Sequence, residues 1–303
     1  MPELPEVETT VRMLGRHLRG RKIIDLWIDK TKPVRTGPGM SWSRSLKQWQ
    51  NWRKFIVGAR IKSVRRRAKL VLIDFDNSKT LVVHLKMSGH FLHGQWRRQK
   101  ECWLAQTPMI MKTDPWNGYL RAIFSLDNGQ MLAFSDLRRF GTMRLVSTTA
   151  VAELKDIKSF GPEPLEESFR LKDFKTVLNR SGRIKTVLMN PTNLVGVGNI
   201  YSDEALWQAG VHPASRADKI PAPKRKLLYT SLRRILREAI RKKGSSNGDF
   251  RTPAGQPGTF HFAQKVYRQT GRDCLKKDGG RIQRIKVGGR SAHFCDKHQQ
   301  LFK

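Results

Sequence analysis

The apolar pattern changes period once along the chain, near residue 150, and that change limits the fold more than any other feature. From about Lys22 to Val146 short apolar runs recur: Leu70-Val71-Leu72-Ile73, Leu81-Val82-Val83, Leu120 to Phe124 and Met131 to Phe134. Turn formers such as Asp76-Asn77 and Asp127-Asn128-Gly129 separate them. Several strands at this spacing predict a β-sandwich or flattened barrel. From about Val151 the period is helical, and segments 168–179, 183–190, 199–209 and 222–243 read as four helices. One helix precedes the strands: Val7, Val11, Leu14 and Leu18 share a face, Pro5 suits its start, and Gly20 ends it. Phe160-Gly161-Pro162-Glu163-Pro164 reads as a hinge, and the tail from Lys265 to Lys303 as a β-hairpin carrying two cysteines. At 303 residues the chain can hold two modest domains, each with its own core.

Charge then narrows the partner. Lys and Arg number 59 against 25 Asp and Glu, a net +34, spread along the whole chain rather than gathered in a tail or one amphipathic helix. Such a balance points to a polyanion, and phosphate neutralisation makes nucleic acid a better match than an anionic membrane. Three cysteines cannot form a paired disulfide framework, which favours a reducing compartment. The acidic opening MPELPEVETT lacks the regions of a signal peptide, and no apolar run approaches the ~20 residues of a membrane span. The expectation is a soluble, intracellular protein with a nucleic-acid partner and no membrane partner.

The N-terminus is a chemical device in waiting. A proline after the initiator Met is a residue from which Met is commonly cleaved, leaving a secondary amine. An α-amino group has a pKa near ~8, so a useful fraction is unprotonated. Such an amine can attack an electrophilic sugar carbon and form an iminium. Glu3 stands ready as general acid or base, and Glu6, about one turn on, can hold or orient it. By themselves Pro2, Pro5 and the glutamates would equally well describe a helix start.

The surrounding motifs decide between these readings. Pro2-Glu3-Leu4-Pro5-Glu6-Val7-Glu8-Thr9 resembles the opening of the formamidopyrimidine-DNA glycosylase / endonuclease VIII family. Blocks then follow in that family's order: Arg66-Arg67-Ala68-Lys69, His84-Leu85-Lys86-Met87-Ser88-Gly89, Asp136-Leu137-Arg138-Arg139-Phe140-Gly141, Gly161-Pro162-Glu163-Pro164-Leu165, Gly196-Val197-Gly198-Asn199-Ile200-Tyr201 and Gly288-Gly289-Arg290-Ser291-Ala292-His293-Phe294-Cys295. The resemblance implies an α+β multidomain fold: a β-sandwich with a leading helix (1–160), a helix–two-turn–helix domain (161–262) and a zinc-finger-like β-hairpin (263–303). It implies an enzyme of base-excision repair that flips an oxidised base from damaged double-stranded DNA, cuts the glycosidic bond and nicks the strand, working as a DNA-associated monomer in a prokaryotic cytoplasm or nucleoid. Pro2 is then the nucleophile, Glu3 the assisting acid, Lys69 the proton donor and phosphate contact, and Arg290 the support for δ-elimination. Met87, Arg138 and Phe140 would fill the hole left in the base stack, as a pliable side chain, a donor to the orphaned base and a wedge. Asn199, at a helix start after small residues, would hold a phosphate, and Lys185 would approach the lesion strand. The opening motif favours the purine lesions 8-oxoguanine and formamidopyrimidines; oxidised pyrimidines, or a non-catalytic DNA-binding relative, are the rivals.

Three departures from the family pattern stand out. The usual C-x2-C-x16-C-x2-C finger is reduced to Cys274, Cys295 and His298, with Lys277 where a second cysteine belongs; Asp278 restores the spacing, so Cys274, Asp278, Cys295 and His298 could hold one structural Zn2+. A zincless hairpin held by packing is the competing reading, and the chemistry itself calls for no metal or organic cofactor. A DNA-contacting histidine of many relatives is replaced in the stretch Tyr119-Leu120-Arg121, where Arg121 could take the phosphate. Last, a basic and aromatic insertion around Trp96 to Trp116 reads as a long loop, with Cys102 an ordinary loop or core cysteine.

Overall fold

The N-terminal stripe becomes helix α1 (Leu4–Leu18), which buries Val7, Val11, Leu14 and Leu18 on one face. The computed structural model describes residues 1–37, 40–100 and 102–303. The chain forms two compact units, one of Met1–Lys158 with Lys242–Thr259, the other of Ser159–Arg241 with Phe260–Lys303.

The first unit is an antiparallel sandwich. Its strands are β1 (Ile23–Ile28), β2 (Ile61–Arg67), β3 (Leu70–Phe75), β4 (Lys79–His84), β5 (His90–Gln99), β6 (Cys102–Thr107), β7 (Leu120–Leu126), β8 (Met131–Ser135) and β9 (Thr142–Ser147). One sheet runs β1-β7-β8-β5-β6 and the other β2-β3-β4-β9. The apolar runs seen in the sequence are the inner faces: Val71, Ile73, Leu81 and Val83 from one sheet meet Phe91, Phe124 and Phe134 from the other. Burying each such side chain contributes about 1.5–3 kcal/mol, enough to fix which face of each strand turns inward.

Two parts of this unit differ from the sequence reading. Helix α2 (Trp42–Ile56) lies within the stretch read as strands. Ser41 caps it by accepting from Arg44 N, and Ser45, Trp49 and Ile56 make a helical stripe that packs into the sandwich core. The supposed long loop at 96–116 is mostly structured. It continues β5 into a hairpin with β6, then forms α3 (Ile110–Thr113) and a 3-10 turn (Pro115–Gly118) over Met111 and Trp96. Cys102 is exposed on β6, neither loop nor core. A last short helix of this unit is α4 (Lys155–Lys158).

The second unit is helical: α5 (Leu171–Leu178), α6 (Ile184–Met189), α7 (Asn199–Ala209) and α8 (Ala222–Arg241). These coincide with the four helical segments read from the sequence: α7 has the same bounds, and the other three are shorter by one to three residues at an end. Helix α7 is buried on nearly all sides, from Tyr201 to Trp207, and Gly210 ends it in the left-handed conformation at φ +65°. Within it Glu204 accepts the backbone N–H groups of Lys265, Val266 and Tyr267, which ties the tail to the helix. The tail hairpin is β10 (Ile282–Val287) and β11 (Arg290–Cys295); Cys295 closes β11, whereas Cys274 lies in the turn before β10 rather than in the hairpin itself. No helix of the described residues is long and apolar enough to cross a membrane.

Candidate active site

The start of α1 is held from two directions. Glu3 N donates to Glu6 Oε2 at 2.8 Å, and Glu6 Oε1 accepts from Ser245 N at 2.7 Å. Glu3 and Glu6 are both buried, 3% and 1% exposed, as is Pro2, while Met1 is half exposed. Gly244 permits the second grip. At φ +80° it lies so close that a Cβ would come within 2.8 Å of Glu6 Cγ. Glu6 therefore orients the turn that carries Pro2 and Glu3, the role its spacing suggested. Its bond to Ser245, 239 residues away, had no signal in the sequence.

Lys69 sits in the tight connection between β2 and β3, where Arg67 pairs with Leu70 and only Ala68 and Lys69 intervene. Ala68 adopts φ +54°, a conformation that costs a residue with a Cβ about 1–2 kcal/mol, and it is held there while buried. Arg66 donates to Ala68 O at 3.0 Å and to Glu8 Oε2 at 2.7 Å, so the same guanidinium ties the Lys69 turn to α1. Burial acts to raise the Glu8 carboxyl, but the Arg66 and Arg12 bonds outweigh it and hold its pKa below the ordinary value.

Met87 and Phe140 both occupy turns, as the flanking residues suggested. Met87 lies in the Lys86–Ser88 turn, where His84 Nδ1 accepts from Lys86 N at 3.0 Å. That bond needs a neutral imidazole, and burial, with Lys86 and Lys69 nearby, pushes His84 down to about 3. Phe140 is 46% exposed, with the Arg138 guanidinium 5.0 Å from its ring centre. Ser88 and Asp136 lock the two turns together: Ser88 Oγ donates to Asp136 Oδ1 and accepts from Arg138 N at 2.8 Å, while Gly141 N donates to Asp136 Oδ2 at 2.8 Å. Burial raises the Asp136 carboxyl pKa despite these bonds. A cleft of about 340 Å³ beside the turns is lined by Met1, Arg35, Lys86, Met87, Phe140 and Thr142, so the chain's first residue shares one opening with Met87 and Phe140. Ser88, Asp136 and Arg35 were not singled out in the sequence, although the first two lie inside the motifs quoted there. Arg121 is turned inward, donating to Asp29 Oδ2 at 3.0 Å and to Asp136 O at 3.1 Å.

In the helical unit, α6 and α7 are joined across 190–198 by a turn, with Asn193 N and Leu194 N both donating to Asn190 O, and then by bends at 194–196. The cap position falls on Gly198, so Asn199 is the first helical residue, and its Oδ1 has no hydrogen-bond partner among the described residues. Lys185 is fully buried: its Nζ bonds Asp203 Oδ1, and Asp203 Oδ2 accepts from His293 N and meets His293 Nδ1, each at 3.0 Å. Lys185 ties α6 to α7 from the interior, and Asp203 ties α7 to β11. Arg290 is exposed at the hairpin tip, opposite Val287 across the Gly288-Gly289 turn. Both glycines have positive φ, and a Cβ at Gly288 would meet Thr186 Oγ1 at 2.7 Å.

Cys274, Asp278, Cys295 and His298 converge, with one donor atom from each lying within 4.8 Å of every other. Cys274 Sγ is 3.5 Å from His298 Nδ1, and Cys295 Sγ is 3.5 Å from Asp278 Oδ2. Zinc bonds of ~2.0–2.3 Å separate tetrahedral donors by roughly 3.3–3.8 Å, which these two separations match, while His298 Nδ1 and Asp278 Oδ2 lie 2.7 Å apart in a hydrogen bond that would open around an ion; the donor types suit zinc. His298 Nε2 lies 3.0 Å from Trp207 O, which places the ring proton there and leaves Nδ1 as the ligating atom. Gly280 makes room, since a Cβ would lie 2.5 Å from Cys295 Sγ. The four residues counted out in the sequence are thus close enough to hold a metal ion.

The chain thus has a β-sandwich unit that gathers its own N-terminus beside two exposed turns, and a helical unit that carries the tail hairpin. The family model for the formamidopyrimidine-DNA glycosylase N-terminal domain matches residues 1–143, and that for the formamidopyrimidine-DNA glycosylase H2TH domain matches residues 160–250. The formamidopyrimidine-DNA glycosylase of Heliobacterium modesticaldum is 35% identical, the match covering 99% of this chain and 100% of the relative. That of Streptococcus pyogenes is likewise 35% identical, covering 99% of each. The Lactococcus lactis protein, solved in complex with abasic-site DNA, superposes with a TM-score of 0.82 at 32% identity over 98% of this chain and 99% of that one. The same protein has been solved with DNA containing formamidopyrimidine-dG (TM-score 0.80, 31% identity, 98% of this chain and 100% of that one). The chain belongs to the formamidopyrimidine-DNA glycosylase family.

Proposed function

We propose that the protein is a bifunctional DNA N-glycosylase and abasic-site lyase. It removes oxidised bases, foremost 8-oxoguanine and formamidopyrimidines, from duplex DNA through a Schiff base on Pro2. The observation that carries this reading is the constellation at the chain start. The Glu6 carboxylate fixes the Glu3 backbone next to Pro2 at the head of α1, and Met1 opens onto the cleft shared by Met87 and Phe140. With Met1 removed, the Pro2 nitrogen bonds to the sugar C1′, the C1′–base bond breaks, and the base leaves with a proton. Glu3 donates to the sugar ring oxygen as the ring opens, and the nitrogen lone pair forms the iminium. Loss of a C2′ proton then expels the 3′ phosphate, and a second elimination expels the 5′ phosphate, with Lys69 moving protons and contacting phosphate at the first and Arg290 supporting the second. Met87, Arg138 and Phe140 fill the gap in the stack, which favours the flipped state. Asn199 offers a phosphate contact at the first turn of α7. The matched relatives' names and the damaged-DNA complexes of the Lactococcus lactis protein support damaged duplex DNA as the partner.

A structural Zn2+ fits the finger, held by Cys274, Asp278, Cys295 and His298. When bound, it would contribute folding energy to the tail and no step of the reaction.

The test is borohydride trapping on duplexes carrying 8-oxoguanine, an oxidised pyrimidine or an abasic site. The processed protein should give a covalent adduct, strongly reduced by Pro2→Gly and abolished when an N-terminal extension acylates the Pro2 nitrogen. A processed protein that binds the abasic duplex and never traps refutes the reading. Strongest trapping on the pyrimidine lesion would move the substrate class without touching the chemistry.

A further inference from the structure

Residues 242–259 reach from the catalytic helix to the insertion, and both ends of that reach are pinned. At the near end Gly244 and Ser245 enclose Glu6. At the far end Arg251 donates from Nε and Nη2 to both carboxylate oxygens of Asp114, with the two side chains only 10% and 12% exposed. Beside this pair Asn117 Nδ2 donates to Gly255 O at 3.2 Å and to Ile110 O at 3.1 Å. Gly255, at φ +77°, sits so close to the insertion that a Cβ would meet Met111 Sδ at 2.8 Å. Thr252 and Gln256 close a turn, through Thr252 N to Gln256 O at 2.8 Å, and His93 N donates to Pro253 O at 2.7 Å. Asp114 also accepts from Trp116 N at 3.0 Å, so the residue that grips Arg251 is itself fixed by the 3-10 turn it caps.

We propose that the Ile110–Gly118 part of the insertion is a positioning element that holds segment 249–258, and that it thereby sets which flipped base is accepted. The proposal rests on the glycosylase reading above. A base beside Glu3 lies next to Glu6 and hence next to the segment that wraps Glu6, so the set of that segment shapes the space for the base. An abasic sugar carries no base and does not use that space. Releasing the segment therefore slows excision and changes lesion preference while leaving the nicking of a preformed abasic site intact. Asp114 and Arg251 touch none of the reacting atoms and act only through this segment.

The test compares wild type, Asp114→Asn, Arg251→Ala and the double variant, all full length. Single-turnover rates are measured on 8-oxoguanine, oxidised-pyrimidine and preformed abasic duplexes, with hydrogen exchange across 249–258. Asn keeps the cap for Trp116 and removes the charge. Each single variant should lose roughly tenfold or more in excision, as expected when a group that orients the substrate slackens. Its ratio of 8-oxoguanine to pyrimidine excision should shift, exchange in 249–258 should rise, and abasic nicking should stay within about twofold. The double variant should be no worse than the worse single one, since both remove the same link. Excision and nicking falling together, or excision and preference unchanged while exchange rises, overturns the proposal. Wild type that neither excises nor traps overturns the glycosylase reading and this inference with it.

Discussion

Replacing Lys185 by Met separates an interior role from a DNA contact more sharply than any other single change. Its ammonium and the Asp203 carboxylate are both fully buried, and Asp203 also takes the His293 backbone and ring. Removing one partner of such a pair leaves a buried charge uncompensated, which costs about 3–5 kcal/mol even though the intact pair adds little to stability over an apolar pair. Local opening of α6, α7 and β11 should therefore rise by about two to four orders of magnitude, read by hydrogen exchange of peptides covering 184–209 and 290–295. Pairing Lys185→Met with Asp203→Leu should recover much of the loss, because no lone charge remains. The same protein settles the alternative by its affinity for DNA against salt. A lysine on a phosphate contributes about 0.9 to the slope of log K against log salt, so an interior Lys185 predicts a slope unchanged in the variant. A loss of under about 1 kcal/mol in opening, together with a slope reduced by about one, would refute the interior role and restore the strand contact expected from the sequence.

Other expected outcomes follow from named contacts. Gly244→Ala adds a Cβ at φ +80° against Glu6 and should cost about 2–4 kcal/mol, from left-handed strain and overpacking together; urea unfolding measures it. His84 has a folded pKa near 3, below its unfolded value, so its contribution is full above the ordinary histidine range and is lost as pH falls below it. Stability should decline by roughly 1 kcal/mol per pH unit there, and His84→Gln should flatten that part of the profile. Purified protein should carry about one zinc per chain, and a chelator should raise exchange across 274–298; a metal content well below one, or exchange unchanged, favours the packed hairpin. Arg290→Ala should lower the salt slope by about one and slow the second elimination more than the first.

Local patterns carried most of the fold. The stripe of Val7, Val11, Leu14 and Leu18, the inner-face runs of the sandwich and the four C-terminal helices depend on period and on short-range turn chemistry, which a sequence displays directly. Helix α2 was also legible in principle: Ser41 as cap and the stripe of Ser45, Trp49 and Ile56 were present, but tryptophans and a strand-rich neighbourhood masked the period. Asp278 was found by counting residues, because a metal site fixes ligand spacing along a hairpin, and the structure brings it to Cys295 and His298.

Pairings between distant residues had no such signal. A lysine in a basic chain looks like every other lysine until a buried Asp203 is placed against it, and the Asp29 and Asp136 partners of Arg121 are equally silent in the sequence. The excess of positive charge hides such partners. With 25 acidic residues for 59 basic ones, a carboxylate that is buried or bonded is a scarce partner. The basic residues it selects are Arg66 by Glu8 and Arg251 by Asp114 in the first unit, and Lys185 by Asp203 in the second. In a polyanion-binding chain the acidic residues are therefore the better guide to architecture. The partners of Glu6, Asp114, Asp136 and Asp203 mark the places where substitution should disturb chemistry without touching the substrate.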